Sequence, residues 1–378
     1  MQHRVYFDHA STTNINPQVL KTYEHLLETM YVNSESLYEE GTRVHDQMEK
    51  ARTAIAGLLG CKSKEVIFTG GSAESNSTAI KGVPLAVTGK KHIITSAVEH
   101  SSILNGCAQM ERLFGYRITY LPVNEQGIVS ITDLKSALDD DTVLVSVMMV
   151  NNESGAINPI QEIGEIIKKQ SHAYMHVDMT QAIGKIPCPL QNIDLASMSA
   201  HKMEGLKGSG ILIKKEYVPL EPLISGGEQE QGLRGGTANA AADMVFAKTL
   251  RLALENEKTY GAYVQGLRDR LLDGLEKIDG IEINSSRHGV GCLVNFSYEA
   301  IPSEVMQNAL NRAGFMVSAR STCESNSNNP SYVLKAMGFS DRRASSCIRI
   351  SLGYQNTVEE VDAFLSALKE IIQTYGEL

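Results

Sequence analysis

The stretch VIFTGGSAESNSTAIKG (residues 66–82) decides the fold class. Its apolar start predicts a strand that ends at Thr69, two glycines predict a tight turn, and a helix is expected from about Ser72. More short apolar runs follow, mostly with helical segments between them: residues 92–96, 117–123, 143–150, 173–178, 195–200 and 210–213. Strands that are apolar throughout are typical of a sheet covered on both faces. The alternation predicts an α/β domain with a mainly parallel central sheet.

The flanking segments predict further helices and a second domain. Residues 42–60 have a helical apolar stripe that ends at Gly60. Residues 240–278 read as one or two long helices, and they precede the separated strand-like runs IEIN, CLVNFS, FMVSAR and CIRISL. Thr357 with Glu360 forms a capping box before a last helix. We expect a large domain at residues 15–250 and a smaller α+β domain formed by residues 1–14 and 251–378.

The composition excludes several functional classes. Hydrophobic residues make up 42% of the 378 residues and charged residues 21%, as in ordinary globular proteins. The formal net charge of −9 argues against a general nucleic-acid binder, which needs a basic surface. The longest mainly apolar run, at residues 143–150, is far shorter than the roughly 20 residues of a membrane-spanning helix. Since the start also lacks the apolar segment of a secretory signal, we expect a cytoplasmic protein.

The cysteines do not predict a metal site. They lie at positions 61, 107, 188, 292, 323 and 347, and no pair has CxxC spacing. No cluster of histidine and cysteine has the spacing of a zinc site. In a long cytosolic chain, most such cysteines are small core residues.

Three features together predict a cofactor site, although each has a plainer interpretation. The glycine turn before Ser72 is either a phosphate cradle at a helix N-terminus or an ordinary tight turn. Asp178 follows an apolar strand, where it either contacts a ligand ring nitrogen or caps a helix. Lys202, just past the next strand, is either a Schiff-base amine or a surface lysine. Together they describe a pocket for pyridoxal 5'-phosphate (PLP).

At this point the chain resembles a known family. It is similar to the cysteine desulfurases, in the class V aminotransferase group of PLP enzymes with fold type I. The resemblance runs from YFDHASTT to CIRISLGY. The motifs that carry it are FTGGSAESNSTAIKG, EHSSIL, VNNESGAINPI, HVDMTQAIGK, SAHKMEGLKGSG, GGEQEQGLRGGTANA and CESNSNNPSYVLKAMG.

The resemblance implies a set of site residues. The PLP-binding positions are Ser72, Ala73, His100, Asn152, Asp178, Gln181, Ser199, His201, Lys202 and Thr237. Lys202 is implied as the Schiff-base lysine, Asp178 as the partner of the pyridine nitrogen, and His100 as a catalytic residue that stacks on the ring. Substrate binding falls to Asn152 and Arg349, the latter for the carboxylate of L-cysteine. A homodimer is implied in which Thr237 reaches the neighbour's phosphate.

Cys323 is the expected nucleophile. It lies in the polar stretch SARSTCESNSNNPSYV, where a buried structural cysteine is not expected and an exposed, mobile loop is. It also matches the family's catalytic cysteine, in the type with a long catalytic loop. The implied activity converts L-cysteine to L-alanine with a persulfide on Cys323, which passes to an acceptor such as an iron–sulfur scaffold or a tRNA-thiolation enzyme.

Four positions depart from the family pattern. Ala73 stands where threonine is usual in the phosphate turn, and Arg320 replaces a glycine before Cys323. Tyr354 replaces a second arginine after Arg349, and Tyr38 replaces a histidine. These changes leave the sulfur acceptor open. The alternatives are another class V enzyme (a selenocysteine or cysteine-sulfinate lyase, or an aminotransferase) and a non-catalytic partner of sulfur-transfer proteins.

Overall fold

The computed structural model describes residues 4–319 and 329–375. Its centre is a seven-stranded sheet in the order β2-β8-β7-β6-β5-β3-β4. These strands are β2 (Val66–Thr69), β3 (His92–Ser96), β4 (Arg117–Leu121), β5 (Thr142–Ser146), β6 (Tyr174–Asp178), β7 (Leu195–Ser199) and β8 (Gly210–Lys214). Only β8 runs antiparallel to its neighbours, β2 and β7. The predicted α/β fold with a mainly parallel sheet is confirmed.

Helices cover the central sheet and connect its strands. They are α1 (Pro17–Thr29), α2 (Glu39–Leu59), α3 (Ser72–Ala86), α4 (Ser101–Phe114), α5 (Ile131–Ala137) and α6 (Ile160–Gln170). Gly60 ends α2 as predicted, with a φ of 69° that glycine adopts without strain. In the predicted stripe of α2, Val44, Met48 and Ile55 are buried, whereas Leu58 is exposed.

Two predicted strands are shorter in the structure. The run at residues 117–123 ends as a strand at Leu121, because the next residue, Pro122, has no N–H for a ladder bond. The run at residues 143–150 leaves the ladder after Ser146. Beyond it, Val147 and Met149 still donate to carbonyls of β6, but β3 on the other side ends at Ser96.

The C-terminal part forms smaller sheets against a single long helix, α7 (Ala240–Leu275). Strand β12 (Cys347–Ser351) pairs with β10 (Leu293–Tyr298), which pairs with β9 (Ile281–Ile283), all antiparallel. Strand β1 (Val5–Tyr6) pairs with β11 (Phe315–Met316). The helices here are α8 (Ser303–Arg312), α9 (Tyr332–Ala336), α10 (Asp341–Ser345) and α11 (Val358–Tyr375).

Two predictions in this part have clear outcomes. The capping box before α11 is present, since the Glu360 N–H donates to the Thr357 hydroxyl and the Thr357 N–H to the Glu360 carboxylate. In the described part of the run FMVSAR, residues 315–319, only the two-residue strand β11 forms, and Ser318 adds an isolated bridge to Arg349.

The long helix α7 contributes to two hydrophobic cores. Phe246 and Leu250 near its start pack in the core around the central sheet. Leu267 and Leu271 near its end pack in a second core, together with Phe7. This distribution agrees with a domain boundary near residue 250 and with residues 1–14 belonging to the small domain. Both the boundary and this assignment stay predictions.

The strand order brings the candidate residues to one edge. Strands β6 and β7 are parallel neighbours, with Asp178 in register with Ser197. Asp178 is the last residue of β6, and Lys202 is the last residue of the helical turn (residues 200–202) that follows β7. Ligands bind at this carboxyl edge in open α/β sheets. Among residues 4–319 and 329–375, no helix has both the length and the apolar character needed to cross a membrane.

Candidate active site

A cavity of about 470 Å³ opens at the carboxyl edge of the central sheet. Most of the predicted site residues line it: Ser72, Ala73, His100, Asn152, Asp178, Gln181, Ser199, His201, Lys202 and Arg349. Lys207 also lines it. Among the described residues, the cavity lining therefore has three cationic side chains around one carboxylate, that of Asp178, which suits a ligand with a net negative charge.

Lys202 is held by the N-terminal segment of the chain. Its Nζ donates to the carbonyl oxygens of Ala10 and Ser11, each at 2.6 Å. The segment itself is fixed, because the Thr13 N–H donates to the carbonyl oxygen of His201 at 2.9 Å. Lys202 is half-buried and points its amine to the cavity wall, so it is not the surface lysine of the plainer interpretation.

Asp178 is buried and oriented by two donors. The Thr180 N–H donates to Oδ1 at 2.9 Å, and the Asn76 side-chain amide donates to Oδ2 at 2.7 Å. The helix-capping interpretation is wrong, because the described residues contain no helix between β6 and β7. The Asp178 carboxylate instead takes part in a turn and lines the cavity. A carboxylate held this way is suited to bind a protonated ring nitrogen.

The glycine turn brings the start of α3 to the cavity. Gly71 has a φ of 142°, and a Cβ on the neighbouring Gly210 would lie 2.6 Å from the Gly71 Cα. These two positions therefore need glycine so that the turn packs on β8. Ser72 and Ala73 begin α3, and the first N–H groups of a helix have no acceptor within the helix. They can hold an anion.

Two histidines line the cavity from different elements. His201 contacts the Thr12 hydroxyl through Nδ1 at 3.2 Å. Burial, with the nearby amines of Lys202 and Lys207, lowers the pKa of His201 to about 4, so its ring is neutral at pH 7. His100 is the N-cap of α4, and its Nδ1 accepts the Ser102 N–H at 3.2 Å.

Gln181 connects the cavity to a second lysine. Its Nε2 donates to the Ala10 carbonyl at 2.8 Å, and its Oε1 accepts from the Lys185 amine at 2.7 Å. Burial lowers the pKa of Lys185. With Oε1 bonded to Lys185, Gln181 faces ligands as a donor, and the family resemblance implies the ring hydroxyl of PLP as its partner.

Arg349 is the most deeply buried cation of the site, at 1% exposure. Its guanidinium donates to the Asn152 carbonyl at 2.9 Å, the Asp8 carboxylate at 2.9 Å and the Ser11 hydroxyl at 2.7 Å. Its Nε and the Asn152 Oδ1 are buried without a hydrogen-bond partner among the described residues. Because buried polar groups are normally paired, these two atoms are available to a polar ligand.

Several predicted residues lie elsewhere. Thr237 is exposed and does not line the cavity of its own chain, and its predicted contact concerns a second copy. Cys323 and Arg320 lie outside the described residues. Tyr354 bonds Glu204 and stacks on Tyr260 at 4.9 Å, so it is turned away from the cavity.

The other cysteines pack against the hydrophobic cores. Cys107 and Cys347 are fully buried, and Cys61, Cys188 and Cys292 are partly buried. Burial raises the pKa of Cys61 to about 11 and that of Cys107 and Cys188 to about 12. Because the thiolate is the nucleophile, these three thiols are unsuited to nucleophilic chemistry at neutral pH.

Sequence reasoning missed several residues that shape the site. Asp8 and Ser11 bind Arg349, and Ala10 accepts from Lys202 through its carbonyl. All three lie in the motif YFDHASTT, and this motif is the sequence feature that could have indicated them. Asn76 and Ser102 lie in the motifs of α3 and α4, and only the folded structure brings Asn76 beside Asp178 and Ser102.

The fold and the cavity define a site suited to an anionic ligand beside the half-buried amine of Lys202. The sequence model described as "Aminotransferase class-V" matches residues 5–364. The chain is 40% identical to a "NifS/IcsS protein homolog" of Lactobacillus delbrueckii subsp. bulgaricus, over 99% of this chain and 98% of that protein. It is 39% identical to "Cysteine desulfurase IscS" of Methanosarcina thermophila, over 98% of this chain and 92% of that protein. The chain belongs to the class V aminotransferase family.

Solved structures agree with the fold. A "NIFS-LIKE PROTEIN" superimposes with a TM-score of 0.92 at 36% identity, covering 98% of this chain and all of the other. The structure "SspA in complex with cysteine" superimposes with a TM-score of 0.81 at 29% identity, covering 93% and 99%. The family is PLP-dependent, and the residues present fit PLP: the free N–H groups at the start of α3, the cationic cavity and the buried carboxylate match its phosphate and ring nitrogen.

Proposed function

We infer that this chain is a PLP-dependent cysteine desulfurase. It removes sulfur from L-cysteine, leaves L-alanine, and carries the sulfur as a persulfide on Cys323. The single observation that carries the proposal is that Lys202, Asp178 and Arg349 line one cavity, although Arg349 is distant in the sequence from the other two. An amine, a carboxylate and a guanidinium are what a PLP enzyme needs to act on an α-amino acid.

The proposed cofactor contacts follow from the donors around the cavity. PLP, when bound, supplies an aldehyde that bonds to an amine and a ring that withdraws electrons from the substrate. The N–H groups of Ser72 and Ala73, with the side chains of Ser199 and His201, would hold its phosphate. Asp178 would hold its ring nitrogen, Gln181 its ring hydroxyl, and Lys202 its aldehyde carbon. Ala73 offers only its N–H, so one hydroxyl contact of the family is absent.

The proposed substrate contact is made by Arg349. A guanidinium binds a carboxylate through two parallel hydrogen bonds, which suits the planar carboxylate of L-cysteine. Arg349 is fixed in place by Asp8, Ser11 and the Asn152 carbonyl, and its Nε is directed at no described protein acceptor. The Asn152 amide oxygen is also available to a ligand donor.

The proposed proton and sulfur transfers balance without an external oxidant. Lys202 moves a proton at the substrate α-carbon, as a positioned amine does in general acid–base catalysis. The Cys323 thiolate forms a bond to the substrate sulfur as the carbon–sulfur bond breaks. The carbon takes up a proton and becomes the methyl group of alanine, and Cys323 retains the sulfur as a persulfide. His100 is proposed to transfer a proton to or from a thiol.

The proposal includes the compartment, the oligomeric state and the sulfur acceptor. We place the enzyme in the cytoplasm as a homodimer, with Thr237 of each copy near the cofactor phosphate of the other. The exposed position of Thr237 outside its own cavity supports this arrangement. A protein acceptor, either an iron–sulfur scaffold or a tRNA-thiolation enzyme, would take the persulfide sulfur.

The test measures alanine and sulfide released from L-cysteine in the presence of a thiol reductant. Cys323→Ala should leave PLP bound and stop alanine release, whereas the control Cys188→Ala should keep it, because that thiol is partly buried against the core. Near-normal alanine release by Cys323→Ala would remove Cys323 from its role. Release of alanine from selenocysteine or cysteine sulfinate alone would favour the corresponding lyase instead.

A further inference from the structure

One side-chain amide connects the two sides of the cofactor cavity. Asn76 lies on α3 and is completely buried. Its Nδ2 donates to Asp178 Oδ2 at 2.7 Å and to the Ser102 hydroxyl oxygen at 3.0 Å. Since an amide nitrogen has two hydrogens, it can serve both acceptors at once. Asn76 therefore bridges β6 and α4 through the interior of the site.

The bridge determines where the hydrogen of the Ser102 hydroxyl points. Ser102 Oγ accepts from Asn76 on one side and lies 2.8 Å from His100 Nδ1 on the other. The Ser102 N–H can only donate, so His100 Nδ1 is an acceptor. Because Asn76 Nδ2 also can only donate, the hydroxyl hydrogen of Ser102 points to Nδ1 and not to Asn76. The Ser102 N–H donates to the same nitrogen at 3.2 Å.

Two donors at Nδ1 define the tautomer of His100. A ring nitrogen that accepts cannot carry a hydrogen, so the neutral imidazole carries its hydrogen on Nε2. His100 is also the N-cap of α4, and the N–H groups at a helix N-terminus favour an acceptor at the cap. The cap, the backbone and the hydroxyl all select the same ring form.

We propose that Asn76 is a positioning residue of the active site, which orients the Asp178 carboxylate and, through Ser102, fixes His100 as its Nε2–H tautomer. The proposal rests on the proposed function for its catalytic meaning. In that tautomer Nδ1 is occupied as an acceptor, and the ring presents a hydrogen-bond donor at Nε2. A single buried amide thus orients both the predicted partner of the ring nitrogen, Asp178, and the imidazole of His100.

The two contacts of Asn76 can be separated by substitution. Asn76→Ala removes the donor to Asp178 and the donor to Ser102, whereas Ser102→Ala removes the hydroxyl between Asn76 and His100 and keeps the donor to Asp178. Ser77→Ala, at the next position of α3 and outside the cavity, is the matched control. His100→Asn keeps an oxygen that can cap α4 and identifies the His100 signals by their loss.

The tautomer is read by ¹⁵N NMR of protein labelled in histidine, both without cofactor and with PLP bound. We expect the Nε2–H form in the wild type and in Ser77→Ala. Loss of one hydrogen bond should shift the tautomer ratio toward Nδ1–H by about 3- to 10-fold in Asn76→Ala and Ser102→Ala. Only Asn76→Ala should also weaken PLP binding, by about 10-fold, since it alone releases Asp178.

An Nδ1–H tautomer in the wild type would overturn the proposal. It would also fall if Asn76→Ala kept both the tautomer and the PLP affinity of the wild type, or if Ser102→Ala weakened PLP binding as strongly as Asn76→Ala. The cofactor-free measurement separates this result from the proposed function. A protein that binds no PLP yet has the Nε2–H tautomer would contradict the desulfurase proposal and leave the positioning network intact.

Discussion

Replacing Arg349 with lysine should selectively weaken the binding of ligands that carry a carboxylate. The guanidinium is fixed by three acceptors, and it is 1% exposed, so it cannot turn to solvent. A lysine at this position keeps the positive charge and loses the planar fork. The substitution therefore tests geometry separately from charge.

The expected magnitude follows from the number of hydrogen bonds lost. A carboxylate bound through two nitrogens of Arg349 keeps at most one such bond to an ammonium group. A hydrogen bond to a charged group contributes about 1.5–3 kcal/mol, so affinity for the amino acid should fall about 10- to 150-fold. An amine without a carboxylate makes no contact with this side chain and should lose less than about twofold.

The assay compares L-alanine with ethylamine, which has the same carbon skeleton without the carboxylate. Binding of each is followed by the change in absorbance of the bound cofactor. Arg343→Lys is the matched control, because Arg343 stacks on Phe339 outside the cavity and bonds Asn284. Equal losses for alanine and ethylamine in Arg349→Lys would refute the assignment of Arg349 to the carboxylate.

Two further predictions concern stability. Burial between two serine hydroxyls lowers the pKa of His176 to about 4. Because an unfolded histidine titrates near 6.5, the unfolded chain binds more protons than the folded chain below that pH. The free energy of unfolding should therefore fall as the pH decreases from about 6.5 toward 4. Thermal melts should show this loss in the wild type and a smaller one in His176→Gln, and equal slopes would contradict it. Gln231 and Glu230 both have left-handed backbones, with φ of 62° and 48°. Gln231→Gly should raise the free energy of unfolding by about 0.5–1 kcal/mol by relieving strain, whereas Glu230→Gly should lower it, because Glu230 binds Arg52 through two nitrogens. Urea unfolding measures both, and a change of the same sign in the two variants would be inconsistent with this account.

The order of strands and helices could be predicted from sequence because it rests on local patterns. Apolar runs, glycine turns and a capping box are short-range signals, and they placed Asp178 and Lys202 after strands that prove to be parallel neighbours. The ends of strands were less predictable. The run at residues 143–150 stays apolar after its strand ends, since the end is set by the neighbouring strand β3 and not by composition.

Contacts between distant segments were beyond local patterns. Asn76 and Asp178 are 102 residues apart, and nothing in the residues around either one indicates that they meet. Arg349 reaches the cavity from the last strand, and its partners Asp8 and Ser11 come from the first residues of the chain. The resemblance to the family supplied Arg349, but its partners needed the fold.

The most direct test of the central claim is to locate the amine that bonds to the cofactor. The purified protein is treated with borohydride, digested, and analysed by mass spectrometry for a pyridoxyl group. The account predicts the modification on Lys202 in the wild type and in Lys207→Ala, and its absence from Lys202→Ala. A pyridoxyl group on Lys207 or Lys185 in place of Lys202, or a protein that takes up no PLP, would contradict the account.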